Sequence, residues 1–142
     1  MRGQLRWAAG IMIVLGAGHL VLLVVLAGDQ LAGWVDRGVW AAVPLFDLGT
    51  QPTVKSLQNK DVFWSGPGGF AVPLIVLGCL VWHLAGRGVA VPAAFGWALA
   101  IWSAVSGVLL VPSPFFVATI AGVLIISAAR TSRRAAQGSS PG

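Results

Sequence analysis

The sequence predicts an all-α integral membrane protein, a four-helix bundle in one domain, and three observations predict it. Four apolar stretches, 5–27, 63–85, 89–110 and 112–129, fill more than half of the 142 residues. Only 9% of residues are Asp, Glu, Lys or Arg, and of these Arg6 alone falls inside a stretch. The run Gly10–Ala27 shows none of the polar/apolar alternation that a membrane β-strand needs. Crossing about 30 Å of hydrocarbon at roughly 1.5 Å per residue takes about 20 residues. Backbone in hydrocarbon must satisfy its own hydrogen bonds, so each stretch reads as a helix. The stretches hold 23, 23, 22 and 18 residues; the fourth, the shortest, is expected to tilt least.

Charge placement sets the expected topology. A net charge of +5 in a soluble domain suggests nucleic acid, but here the charges sit at the ends of apolar runs and no nucleic acid is implied. Arg2 and Arg6 lie at the start of the first span, Arg87 between the second and third, and Arg130, Arg133 and Arg134 after the fourth. All four acids, Asp29, Asp36, Asp47 and Asp61, lie in the loop 28–62 with Arg37, Lys55 and Lys60. The positive-inside rule then puts both termini in the cytoplasm and this loop outside, as for a multi-pass protein of a bacterial inner (plasma) membrane. The basic tail is expected to contact anionic membrane lipids, at about 1 kcal/mol per residue near the surface. Arg2 and Arg6 before an apolar run ending Val25-Leu26-Ala27 outline a signal peptide. The run exceeds the about 7–15 residues of such a core, so the first span is expected to be retained. Charge alone leaves cleavage open, because a three-span product with its new N-terminus outside obeys the same rule.

In the first span Trp7 is an interfacial anchor, and Gly10, Gly16, Ala17 and Gly18 let a neighbouring helix approach. In the outer loop Leu31, Trp34, Val35, Val39, Ala42 and Val43 recur at helical spacing, with Asp36 and Arg37 on another face. This predicts a short amphipathic helix on the outer leaflet, ended or bent by Pro44. The polar stretch 49–61 reads as a tether, or as a lid over an outward-facing pocket. The second span opens with Phe63 and Trp64 at the outer interface, Ser65 as a cap and Pro67 in the first turn. Gly66, Gly68 and Gly69 weaken helix there, so regular helix is expected from Gly69 or Phe70, with a kink at Pro73. Trp82 and His83 mark the cytoplasmic end, and the lone Cys79 reads as a small buried apolar residue. The third span carries Gly96, Ala100 and Ala104, and separately Ser103 and Gly107, as small-residue packing stripes. Trp102 lies near mid-membrane, where its indole N–H needs a neighbour's oxygen or a ligand. Pro112-Ser113-Pro114 makes a tight outer link, Phe115 and Phe116 anchor the fourth span, and Ala118 and Gly122 give it a stripe of its own. The membrane domain is expected to occupy 1–130. The remainder, 131–142, is basic and then rich in Gly, Ser and Pro, and the Gly/Ser/Pro part, 137–142, is expected to be disordered.

His19 is the one ionisable side chain well inside a span, which makes it a default site candidate. It is also able to hydrogen-bond structurally to Ser103, Ser106 or a carbonyl, typically for about 0.6 kcal/mol. His83 lies about 18 Å from it in expected depth, so the two do not share one metal ion. A lone His without Cys, Asp or Glu nearby is a poor metal site. No span holds a carboxylate, there is no cysteine pair, no Ser/His/Asp constellation is apparent, and the 65–69 turn lacks the Gly-Lys-Ser/Thr of a phosphate loop. No metal, cofactor or catalytic residue is therefore assigned, and the protein reads as a non-enzyme.

Gly16-Ala17-Gly18-His19-Leu20, the long loop, Phe63-Trp64 opening a Gly/Pro-bearing span, Gly96-Trp97 and Pro112-Ser113-Pro114 together resemble a family of small bacterial membrane proteins of unknown function. That family is broadly similar to DoxX-like four-helix proteins. The resemblance covers about 5–130 and implies a four-helix membrane fold; it carries no activity or catalytic residue over to this chain. Two roles follow as expectations. The preferred one is an accessory or assembly subunit, a homo-oligomer or part of a larger membrane complex, packing through Gly16, Gly96, Ala100, Ser103, Gly107 and Gly122 and anchored by Trp7, Trp34, Trp64 and Trp82. The alternative is a small-molecule or lipid-binding protein with an outward pocket at His19, Ser65, Gly66 and Trp102. A transport oligomer ranks below both, because no charged pathway exists.

Overall fold

The computed structural model describes residues 1–37, 54–110 and 114–138, and all regular structure among them is helical. The helices are α1 (Arg2–Arg37), α2 (Val54–Ser65), α3 (Ala71–Arg87), α4 (Ala93–Leu109) and α5 (Phe115–Gly138). Among the described residues two stretches are long and apolar enough to cross a membrane, 2–33 of α1 and 115–135 of α5. α3 and α4 are apolar but hold 17 residues each, about 25 Å of helix.

The sequence expected four full-length spans, and the shortfall in α3 and α4 has a local cause. Gly66-Pro67-Gly68-Gly69-Phe70 forms turns, not a helix entry, so α3 starts at Ala71. Pro73 then falls in its first turn, where the missing N–H has no intrahelical partner to lose, and the expected mid-span kink has no reason to form. At the other end Gly88 takes φ of +71°, its N–H bonding to Ala85 and that of Val89 to Leu84, a Schellman closure. Pro92 then precedes α4. The fourth expected span, α5, departs in the opposite sense. Expected to be shortest, it has 24 residues, because Arg130, Arg133, Arg134 and Ala135 are good helix formers beyond the apolar run. The helix therefore runs through the basic stretch and includes 137 and 138, the first two residues of the tail expected to be disordered; residues 139–142 lie outside the described residues.

α1 breaks at Ala27 (φ −130°, ψ 26°), where the apolar run ends beside Gly28, and then continues to Arg37. The loop helix expected from Leu31, Trp34 and Val35 is this continuation; Val39, Ala42, Val43 and Pro44 lie outside the described residues. The polar return, expected as a tether, is helix α2 from Val54 onward.

The chain divides into two compact units: unit 1 is Met1–Leu15 with Leu74–Gly142, and unit 2 is Gly16–Pro73. In unit 1, Leu5, Ala8, Ala9 and Met12 of α1 are buried, as are Leu74, Val81 and Ala85 of α3. α1 and α3 meet where Gly78 faces the Ala9 carbonyl and Met12. Cys79 is off this face and exposed, contrary to the expectation of burial. Gln4 Nε2 donates to Ser127 Oγ at 3.4 Å, and Ser132 Oγ contacts Met1 Sδ, joining α1 to α5. In unit 2, Val62 is buried against Leu23, Ala27, Leu31 and Phe63.

Candidate functional site

Unit 2 positions His19. Its Nε2 lies 2.5 Å from the carbonyl oxygen of Ser65. A carbonyl only accepts, so Nε2 carries the proton and donates. Ser65 ends α2, where the last carbonyls lack intrahelical donors, so His19 supplies from α1 what the end of α2 needs. The His19 ring packs on Phe70 at 4.8 Å between centroids, tilted by 51°. The Ser65 hydroxyl was expected to cap the start of a span. It instead donates back to the Asp61 carbonyl at 2.7 Å, as a last-turn serine does.

Gly66 adjoins this contact and is buried. A Cβ there would collide with the Leu23 side chain and sit 3.0 Å from the Val62 carbonyl. Its role is close approach of the turn to α1, and the space beside it is filled by Leu23. His19, Ser65 and Gly66, expected together, are together. Trp102 was expected with them but belongs to unit 1, where its ring meets Phe115 edge-on at 5.3 Å. Of the stretch 49–61 that read as a tether or a lid, 54–61 belongs to α2 and 49–53 lie outside the described residues.

Unit 1 accounts for the packing stripes. Gly96, Leu99, Ala100, Ser103 and Gly107 form the buried face of α4. A Cβ on Gly96 would come 2.8 Å from the Gly122 carbonyl, and one on Gly122 would come 2.7 Å from the Ala100 nitrogen. The two backbones thus touch, and the stripe from Gly96 to Gly107 is occupied within one chain. Ser103, fully buried, donates to the Leu99 carbonyl at 2.7 Å and lies 3.0 Å from Thr119 Oγ1. Thr119 is the partner that sequence reasoning missed; its spacing of four from Phe115 gave no sign of it. Gly107 faces the Phe116 ring. Gly16 is buried in unit 2.

Of the expected anchors, Trp7 and Trp64 are exposed and Trp82 is half-exposed. The side chain of Trp34 lies outside the described residues. His83 is exposed on α3. Among the described residues, no three of His, Cys, Asp and Glu gather around a common point able to hold a metal ion.

No curated protein and no solved structure matches the chain. Nothing in these comparisons connects it to DoxX-like proteins. A family model covers nearly all of it, residues 4–133, and on that match the chain belongs to DUF6463, a family of unknown function.

Proposed function

We propose that the chain is a multi-pass protein of a bacterial inner membrane with both termini in the cytoplasm, and that it acts without catalysis as an accessory or assembly subunit. One observation carries this reading: many large apolar side chains face outward, and small residues bring α4 against α5. Val21, Val24 and Val25 of α1 and Ile101, Val105 and Val108 of α4 are all more than half exposed. Only 17% of the most apolar window of α1 is buried, unlike the core helix of a soluble protein. Water-soluble monomers rarely expose apolar patches beyond a few hundred Å²; in hydrocarbon such a surface costs nothing, and close approach of small residues supplies the packing.

The four-span arrangement asks α3 and α4 to cross with about 25 Å of helix each, a mismatch that local bilayer thinning and flanking residues absorb for fractions of a kcal/mol per Å. Their flanks suit this, since Val89 beyond α3 and Leu110 beyond α4 extend the apolar length. The basic residues of unit 1 support one cytoplasmic end. The guanidinium of Arg2 packs over Gly88, next to Arg87, and Met1, just before α1, touches Ser132 between Arg130 and Arg133.

An assembly subunit needs a surface beyond its own fold. The stripe of α4 is spent within the chain, so contacts with a second copy or another membrane protein fall on the outward apolar faces. Native mass spectrometry after nanodisc extraction tests the proposal, together with alkaline carbonate extraction and a C-terminal topology reporter. The expected result is a carbonate-resistant protein, a cytoplasmic C-terminus and a discrete homo-oligomer or hetero-complex mass. A monomer holding one small molecule that His19→Leu releases would replace the subunit role with the outward-pocket alternative. A carbonate-soluble protein would end the membrane reading altogether.

A further inference from the structure

At the basic end of unit 1, one face of α1 stands open beside α3. Gly3, Arg6, Trp7 and Gly10 recur at three- and four-residue spacing, a single helix face. With Trp82 of α3 they line a cavity of about 330 Å³ whose walls are almost wholly apolar. That volume lies at the lower end of ligand sites, about 300 Å³. The opening exists because two of its residues lack side chains: a Cβ on Gly3 or on Gly10 meets nothing within 4 Å. These glycines therefore differ from Gly78, Gly96 and Gly122, where a neighbouring helix fills the space. Trp7 and Trp82 present their rings at 73% and 47% exposure.

Arg6 supplies the polar group. Its guanidinium carbon stands over the Trp82 ring, 5.8 Å from the centroid. Such a cation–π contact orients the planar fork, whose geometry suits a phosphate. Unit 1 contains Arg2, Arg6, Arg87, Arg130, Arg133 and Arg134, and neither Asp nor Glu. No side-chain carboxylate of its own unit competes with an anionic ligand for Arg6. A free inorganic anion has no use for the apolar walls. A phospholipid matches both parts: Gly3 to Gly10 spans about 10 Å along the helix, the distance from a headgroup into the first methylenes.

We propose that this groove holds one anionic phospholipid of the cytoplasmic leaflet, its phosphate on Arg6 and an acyl chain along Gly10 between Trp7 and Trp82. The proposal rests on the membrane reading above and is separable from it. The experiment is native mass spectrometry of the full chain from nanodiscs of phosphatidylcholine alone or mixed with phosphatidylglycerol, after carbonate extraction has established insertion. Wild type is expected to retain one phosphatidylglycerol. Arg6→Gln, which removes the charge, and Gly10→Leu, which fills the groove without touching a helix contact, should each weaken retention at least about tenfold. Arg133→Gln, which removes an equal charge away from the groove, should leave it unchanged. Retention surviving both Arg6→Gln and Gly10→Leu would overturn the site. So would equal loss in Arg133→Gln, which would mean diffuse charge attraction, or equal retention of phosphatidylcholine, which would remove the headgroup from the account. A protein that fails carbonate extraction defeats the membrane reading instead, and that outcome is read before any lipid is counted.

Discussion

The two units hold their helices by different physics. Unit 1 has six arginines, no acidic side chain, and backbones brought into contact by Gly78, Gly96, Ala100 and Gly122. Unit 2 contains all four acids and joins α1 to the end of α2 through one imidazole, one ring contact and a small apolar cluster around Val62. Packing of small residues gains from every atom along the contact and has no single point of failure except the glycines themselves. A polar tie is worth about 1 kcal/mol and fails with one side chain. The expectation is a firmly held unit 1 and a unit 2 whose α2 opens locally.

The largest effect belongs to the glycine contact. Gly122→Leu places a branched side chain where even a Cβ would lie 2.7 Å from the Ala100 backbone. Overpacking commonly costs about 1–3 kcal/mol, and here backbone rather than a flexible side chain must move. Thermal unfolding in detergent should fall sharply, with loss of protection in both α4 and α5. Gly10→Leu is the matched control, since its Cβ meets open space. If the two variants unfold alike, the α4–α5 contact is not what holds unit 1.

His19→Leu should act next, and in unit 2 alone. It strips the donor from the Ser65 carbonyl and leaves the ring contact with Phe70 to an aliphatic chain. Hydrogen exchange in 54–65 should quicken by about fivefold, the equivalent of roughly 1 kcal/mol, while α4 amides keep their rates. His19→Gln, which restores a side-chain N–H, should recover part of the protection. Equal quickening in α4 would show that His19 supports the whole fold and not the end of α2.

These contrasts also explain what the sequence let one read. The helical class, the apolar runs and the stripe Gly96–Gly107 were legible because periodicity and residue size reflect packing directly. Gly66 was legible as unusual but not as a close approach to Leu23, because that partner is 43 positions away in the chain and no local pattern names it. The turn at 66–70 was read as a helix entry since Ser65, Pro67 and Phe70 satisfy the rules for a start. The same residues close a preceding helix equally well, and α2 itself was hidden by a polar sequence with no strong apolar face.

The smallest effect sharpens the comparison most. Ser103→Ala removes the hydroxyl that links α4 to Thr119 in the buried seam of unit 1. In a contact held by polar ties this loss would resemble that of His19. Here Ser103 already returns a hydrogen bond to its own helix at Leu99, and Thr119 lies 3.5 Å from the Phe115 carbonyl, so each partner keeps an oxygen within reach after the link is gone. Interhelical hydrogen bonds in membranes average about 0.6 kcal/mol, and the alanine methyl fits the space of the serine. The expected change in unfolding free energy is therefore under about 1 kcal/mol, with α4 and α5 protection nearly unchanged. A loss as large as that of Gly122→Leu would mean that the serine–threonine pair, and not the glycine contact, sets the register of the two helices.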